Sequence, residues 1–225
     1  MTFVFLVCCY YKYFPPRRKA VIISSMKRKI KVGLDFDGVV AYNPFRVSRP
    51  LTAFLKHNIL GIKKLRFWYP QKTWQRIFWI IIHESSIYPA KGIDLLRQLV
   101  EEERVEAHLI TARYGFLDDH LFKWLNKHQL KDLFKTINLN KKDEQPHFFK
   151  EQMIRKHDLD IFIEDNLDIV KHLHGKHRTQ IYWIYNILDR WYPHPFKYPY
   201  LEKALENIIQ KPKLTRRVIL KERSD

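Results

Sequence analysis

Between residues 93 and 185, short apolar runs alternate with longer stretches whose apolar positions fall at helical spacing, and this alternation restricts the fold more than any other property of the chain. Residues 105–110 read as a strand, preceded by Ile93, Leu95, Leu96, Leu99 and Val100 on one face of a helix. Residues 116–128 form the next predicted helix, with Leu117, Leu121, Trp124 and Leu125 as its apolar stripe, and 134–139 the next strand. The pattern continues with a helix over 148–157, a short buried strand over 160–163, a helix over 167–173 and a strand over 179–185. A loop holding Pro193, Pro195 and Pro199 then leads to a last helix over 200–209. Strands separated by helical runs of this length predict an α/β fold, a doubly wound, Rossmann-like parallel sheet covered on both faces.

Before this regular body stands a first strand ending near residue 35, followed by a segment of different character. Residues 43–87 hold Trp68, Trp74 and Trp79 and predicted helices over 45–57 and 71–84, with no buried strand. They read as a helical cap inserted after the first strand, leaving 30–42 and 88–210 as the core domain. The run 74–82 is apolar enough to suggest membrane contact, yet nine residues are too few to span a bilayer, so it reads as the core of the cap. Residues 1–29 read as an extension outside the fold, and 211–225 as a basic tail. With 225 residues, 46% of them hydrophobic, the chain can bury one full core plus an insert. Its two cysteines, Cys8 and Cys9, are adjacent; this excludes a disulfide framework and a cysteine zinc site and fits a reducing cytoplasm. The apolar start lacks the pattern of a signal peptide. No transmembrane segment is expected.

In an open α/β sheet the ligand crevice lies outside the carboxyl ends of the strands. Three such ends carry polar residues: Asp35-Phe36-Asp37-Gly38, Thr111-Ala112-Arg113, and Glu164-Asp165-Asn166. Residues i and i+2 of an extended segment share a side, so Asp35 and Asp37 can face one reacting centre. Gathered carboxylates repel one another, and a divalent cation relieves that repulsion. Oxygen ligation without cysteine or histidine points to Mg²⁺, which shares its shell with substrate phosphate. The histidines His172, His174 and His177, beside Gly175, read as a solvated loop rather than a metal tract.

Charge narrows the partner. The formal net charge is +17, but residues 91–210 are balanced while 41–90 carry eight basic groups and one acidic. A basic segment beside a carboxylate site implies an anionic partner, a phosphate ester or a nucleic acid.

At these residues the chain resembles the haloacid dehalogenase-like phosphohydrolase superfamily. The first motif of that family matches Asp35-Phe36-Asp37-Gly38, the second Thr111, the third Lys150, with Lys135, Lys141 and Lys142 nearby as alternatives, and the fourth Glu164-Asp165, where Glu replaces the more usual Asp. The resemblance covers roughly residues 30–185, and the early helical cap and overall size resemble the small 5'-nucleotidase and deoxyribonucleotidase branch. It implies Asp35 as nucleophile and Asp37 as acid and base. It also implies Mg²⁺ on Asp35, the Asp37 carbonyl and Asp165 with Glu164 in support, and Thr111 and Lys150 on the phosphoryl oxygens. Arg113 is expected either to reach the substrate or to pair with an acid. The implied activity is hydrolysis of a small phosphomonoester, a nucleotide among the candidates. The same residues could serve a phosphatase of nucleic-acid ends, or a binding module that kept the fold and lost turnover.

Overall fold

The structure, a computed structural model, describes residues 28–44 and 67–210. The strands are β1 (Ile30–Leu34), β2 (Ala41–Tyr42), β3 (Tyr88–Pro89), β4 (Val105–Tyr114), β5 (Thr136–Asn140), β6 (Ile161–Glu164), β7 (Gln180–Ile184) and β8 (Lys197–Tyr198). The helices are α1 (Thr73–Glu84), α2 (Ile93–Glu101), α3 (Asp118–Lys127), α4 (Pro146–His157), α5 (Leu167–Leu173) and α6 (Leu201–Gln210). Six strands form one sheet in the order β5-β4-β1-β6-β7-β8, and every pairing in it is parallel. The chain winds outward from β1 to β5, returns to β6 beside β1, and winds outward again, which is the doubly wound arrangement.

Helices cover both faces, and the strands divide their side chains between two apolar layers. Along β6, Ile161 and Ile163 join the layer containing Leu96, Leu121 and Leu205 of α2, α3 and α6; Phe162 joins the layer containing Phe149 and Val170 of α4 and α5. On β7, Tyr182 and Ile184 take the first side and Ile181 and Trp183 the second. Gly33 of β1 is required by the second layer. A Cβ there would lie 2.4 Å from Leu159 Cδ1 and 2.9 Å from Phe162 Cδ2, both on buried side chains.

The elements differ from the sequence expectations in two places on the sheet. β4 runs four residues past the predicted end at 110, because the register against β5 slips between Thr111, opposite Leu139, and Tyr114, opposite Asn140. Such a bulge leaves no mark in an alternation pattern. The Pro-rich loop contains β8, where Lys197 and Tyr198 pair with Trp183 and Ile184 at the sheet edge. Prolines flanking an edge strand forfeit no ladder bond in the sheet interior.

β2 and β3 pair antiparallel, Ala41 opposite Pro89 and Tyr42 opposite Tyr88, so the chain leaves the core and rejoins it at one point. Between them α1 matches the helix predicted over 71–84, while the one predicted over 45–57 lies outside the described residues. No side chain of α1 is buried: Trp74, Ile77, Phe78 and Ile81 are exposed, and Trp79, Ile82 and His83 are half-buried. The expectation that this run is cap core is therefore corrected for the described residues. α1 is held by its carboxyl end and one narrow side, not by its apolar stripe. No helix among the described residues is long and apolar enough to cross a membrane. The segments 1–27 and 211–225 also lie outside the described residues.

Of the three histidines near Gly175, His174 is exposed as a solvated loop implies, while His172 and His177 are half-buried. Glu151 of α4 draws two of them back onto the helix, with His172 Nε2 at 2.8 Å and His177 Nε2 at 3.3 Å, while His174 packs edge-on against His194. Burial works against ionisation of Glu151, but the hydrogen bond from His172 and the Lys176 ammonium bring its carboxyl down to about 2. A carboxyl depressed in the folded state stabilises the fold above its unfolded value of about 4 and loses that contribution as pH falls through the folded value. Glu151→Gln should thus lower the denaturation midpoint at pH 7, and the gap from the parent should close between about pH 4 and pH 2.

Candidate active site

β1 delivers Asp35 to the carboxyl edge of the sheet, where its amide donates to Ile163 O at 3.0 Å. The chain then turns within a few residues. Phe36 O accepts from the amides of Val40 at 3.0 Å and Ala41 at 2.9 Å, and Gly38 adopts a φ of +87°. A Cβ on Gly38 would stand 2.0 Å from Asp165 Oδ2, so only glycine lets this turn close against the acid that follows β6.

Three segments distant in sequence meet here. Lys150 lies on α4, which Pro146 starts without sacrificing a helical hydrogen bond, and its ammonium is 3.0 Å from Asp35 Oδ1 and 2.7 Å from Glu164 Oε2. The other Glu164 oxygen accepts from the Asn166 amide at 3.0 Å. Asn166 in turn caps α5, its side chain accepting from the amides of Asp168 and Ile169. One oxygen each of Asp35, Glu164 and Asp165 lie within 4.8 Å of one another, all on buried residues. Burial opposes the charge of Lys150, but Asp35 and Glu164 hold it protonated and raise its pKa. Burial likewise raises Asp35 and Glu164; Lys150 pulls both down without cancelling the burial, to which the neighbouring acids add. With all three ionised, the carboxylates would outnumber the one ammonium by two negative charges, a repulsion that adds to burial in raising Asp35 and Glu164. A divalent cation on these oxygens would match both the charge and the hard ligand set, so the residues present fit the metal that the resemblance implies.

Asp37 is placed in a separate cage. Arg113 grips it with two bonds, Nε to Oδ2 at 2.8 Å and a terminal nitrogen to Oδ1 at 2.6 Å, while the same guanidinium lies 4.4 Å from the Phe36 ring centre and donates to His83 O at 3.1 Å. Ser86 Oγ donates to Oδ1 at 2.8 Å, and His83 Nδ1 stands 3.2 Å from Oδ2. Burial opposes ionisation of Asp37, yet Arg113 and then His83 overcome it and hold the carboxyl well below the usual range. An ionised carboxylate only accepts, so Nδ1 of His83 is the protonated nitrogen. Of the two tasks open to Arg113 in the sequence, the structure shows the pairing with an acid. Thr111 is buried at the bulge of β4, and its Oγ1 accepts from the Arg113 amide at 3.3 Å.

The structure therefore brings Asp35, Lys150, Glu164 and Asp165 into one group and Asp37, Arg113 and Thr111 beside it. Lys150, not Lys135, Lys141 or Lys142, is the lysine on Asp35. His83 and Ser86 were not expected. They sit at the carboxyl end of α1 and just beyond it, in a segment whose periodicity speaks only of a helix.

The fold and this site define an α/β protein with an acid and lysine cluster at the switch point of a doubly wound sheet. A protein of Halalkalibacterium halodurans named "Putative nucleotidase BH1399" is 30% identical over 159 residues, spanning 64% of this chain and 73% of its own length. Among solved structures, a Thermotoga maritima protein described as "putative beta-phosphoglucomutase" superposes with a TM-score of 0.50 at 14% identity, over 80% of this chain and 98% of its own. A Bacteroides fragilis "Putative haloacid dehalogenase-like hydrolase" gives 0.50 at 13% identity, over 78% and 99%. No family model matches the chain. The chain belongs to the haloacid dehalogenase-like hydrolase superfamily.

The Asp37 cage yields a stability prediction. Arg113→Ala leaves a buried carboxylate without its main partner and should cost about 3–5 kcal/mol in chemical denaturation. Arg113→Lys, which restores the charge but not the planar fork, should recover part of the loss.

Proposed function

We propose that the chain is a Mg²⁺-dependent phosphatase of small phosphomonoesters, with a nucleotide as the favoured substrate. The contact of Lys150 with Asp35, inside a cluster shared with Glu164 and Asp165, carries this reading. Lys150 neutralises charge where a phosphoryl group would arrive and orients the carboxylate that attacks it. Asp35 Oδ forms a bond to phosphorus as the ester oxygen departs, giving an aspartyl-phosphate. Water, losing a proton to Asp37, then attacks phosphorus, releases phosphate and restores Asp35. In the caged state Asp37 is the base this second step needs. In the first step it must carry a proton to the leaving oxygen, a demand that grows with the basicity of the leaving group. Thr111 and Lys150 hold the phosphoryl oxygens, and most of the acceleration comes from such positioning and charge.

Asp35, the backbone carbonyl of Asp37 and Asp165 would hold the metal, with Glu164 in support through its grip on Lys150. Bound there, Mg²⁺ would neutralise charge on the phosphoryl group. Residues 43–87 act as the cap.

Two observations favour a nucleotide. The relative at 30% identity carries nucleotidase in its name. An aromatic series also reaches from the inserted segment to the acid: Trp68 against Trp79 with ring centres 5.4 Å apart, and Trp79 against His83 at 5.9 Å. Aromatic faces near the reacting centre suit a planar base. The net charge of +17 favours a second reading, in which the same residues act on phosphorylated ends of nucleic acid. A fold that has lost turnover is disfavoured by the intact pairing of Asp35 with Lys150.

A phosphate-release screen over nucleoside monophosphates, sugar phosphates and 5'- or 3'-phosphorylated oligonucleotides tests the proposal. Release should require Mg²⁺, cease with a chelator and vanish in Asp35→Asn; an Asp35→Asn variant as active as the parent would sink the covalent mechanism. In kcat/KM, which reports the first step, Asp37→Asn should lose about 10²–10⁴-fold on a nucleoside monophosphate and much less on p-nitrophenyl phosphate, whose leaving group departs without a proton, while kcat falls on both because the second step still needs its base.

A further inference from the structure

We infer that His83 keeps the place on Asp37 that the ester oxygen of the substrate takes in the reaction. The inference rests on the phosphatase reading and names the residue that has to yield before Asp37 can exchange a proton. The number of bonds on one carboxylate carries it. An ionised carboxylate offers about four lone-pair sites, two on each oxygen. Oδ1 of Asp37 accepts from a terminal nitrogen of Arg113 at 2.6 Å and from Ser86 Oγ at 2.8 Å. Oδ2 accepts from Arg113 Nε at 2.8 Å and from His83 Nδ1 at 3.2 Å. Asn43 Nδ2, 3.5 Å from Oδ1, stands beyond the range of a strong bond. All four sites are therefore taken.

The proposed reaction needs one of them. In the first step the ester oxygen keeps the electron pair of the breaking bond to phosphorus and takes a proton from Asp37, while phosphorus bonds to Asp35. In the second, the oxygen of water bonds to phosphorus and a proton of that water passes to Asp37. Each transfer requires the partner oxygen within about 2.6–3.2 Å of a carboxylate oxygen, along a lone pair. One of the present donors has to leave.

Burial and bond count decide which. The Arg113 side chain is 4% exposed, holds both oxygens and also reaches His83 O, so detaching it would strand a buried cation. Ser86 is buried as well, at 2%, and its bond is short. His83 makes the longest of the four contacts and has a side chain 16% exposed, more than those of Asp37 and Arg113. Among the described residues its Nε2 has no hydrogen-bond partner, so turning the ring breaks the single bond to Asp37. The backbone can stay where it is: His83 O accepts from Arg113 at 3.1 Å and from the Ser86 amide at 3.2 Å, and neither bond involves the ring. The open side of the cage is thus the side of the imidazole. The ester oxygen enters there, at Oδ2, and the group it carries meets the Trp79 ring, which now packs edge-on against His83 with centres 5.9 Å apart.

Three variants at one position test the inference. His83→Leu fills the space without a donor, His83→Ala empties it, and His83→Asn keeps an N–H at the position of Nδ1. Each is compared with the parent in kcat/KM on the alkyl phosphate that the parent hydrolyses fastest and on p-nitrophenyl phosphate, with thermal midpoints recorded alongside. Removing a competing hydrogen bond should raise kcat/KM on the alkyl ester by roughly 2- to 10-fold in His83→Leu and His83→Ala. The gain should be absent on p-nitrophenyl phosphate, whose leaving group takes no proton, and absent in His83→Asn on either ester. A merely structural role would move both esters together. A loss on the alkyl ester in the donor-free variants, no change there, an equal gain on both esters, or an equal gain in His83→Asn overturns the inference and leaves the phosphatase reading standing. A parent that releases phosphate from no ester overturns that reading, and the inference falls with it.

Discussion

A buried lysine ties this molecule together at the carboxyl edge of its sheet. Burying an ammonium is costly unless opposite charges surround it, and Lys150 finds them on β1 through Asp35 and at the end of β6 through Glu164. The contact fixes the seat of α4 against two neighbouring strands. It also sets the direction of Asp35, because one oxygen of that carboxylate is occupied by the lysine. Glu164 serves the lysine with one oxygen and the backbone of Asn166 with the other, so the longer side chain that replaces the usual Asp is fully used inside the protein. The turn through Gly38 completes the group by admitting Asp165 at a distance that no side chain at 38 would tolerate.

Asp37 obeys a different electrostatic rule although it is two residues away. Burial works against its charge as it does for Asp35, but a bidentate Arg113 outweighs burial, so the two carboxyls shift in opposite directions. Divergent environments for neighbouring carboxyls are what separates a nucleophile from an acid and base in the proposed mechanism. The donors around Asp37 come from β4, from α1 and from the short connection back to β3, so the seating of the inserted segment and the state of this acid are physically joined. Movement of α1 would carry His83 and Ser86 away from Asp37 together.

The regular body was legible because its helices bury one face each. Leu96 and Leu99, Leu121 and Leu125, and Leu205 and Ile208 lie in the core at helical spacing, within a residue or two of the expected limits. The strands are covered on both faces, and apolar runs flanked by helices signal that condition directly. What escaped were features without a periodic signature: the bulge that prolongs β4, the two-residue β8 among prolines, and the exposure of the α1 stripe. Periodicity reports that a helix has an apolar side. It does not say whether anything covers it.

The sequence by itself determined the α/β alternation, the placement of Asp35, Asp37 and Glu164-Asp165 at strand ends, and the basic character of the segment that follows the first of them, whereas Thr111, expected at a strand end, lies inside β4 at its bulge. These depend on local spacing and composition, which a linear chain displays. Only the tertiary structure decided which lysine meets Asp35, that Arg113 is committed to Asp37, and that His83 and Ser86 join it. Those choices depend on burial and on distances between segments far apart in the chain. The energy of a buried charge is set by whichever groups surround it in space, and no spacing along the chain records that.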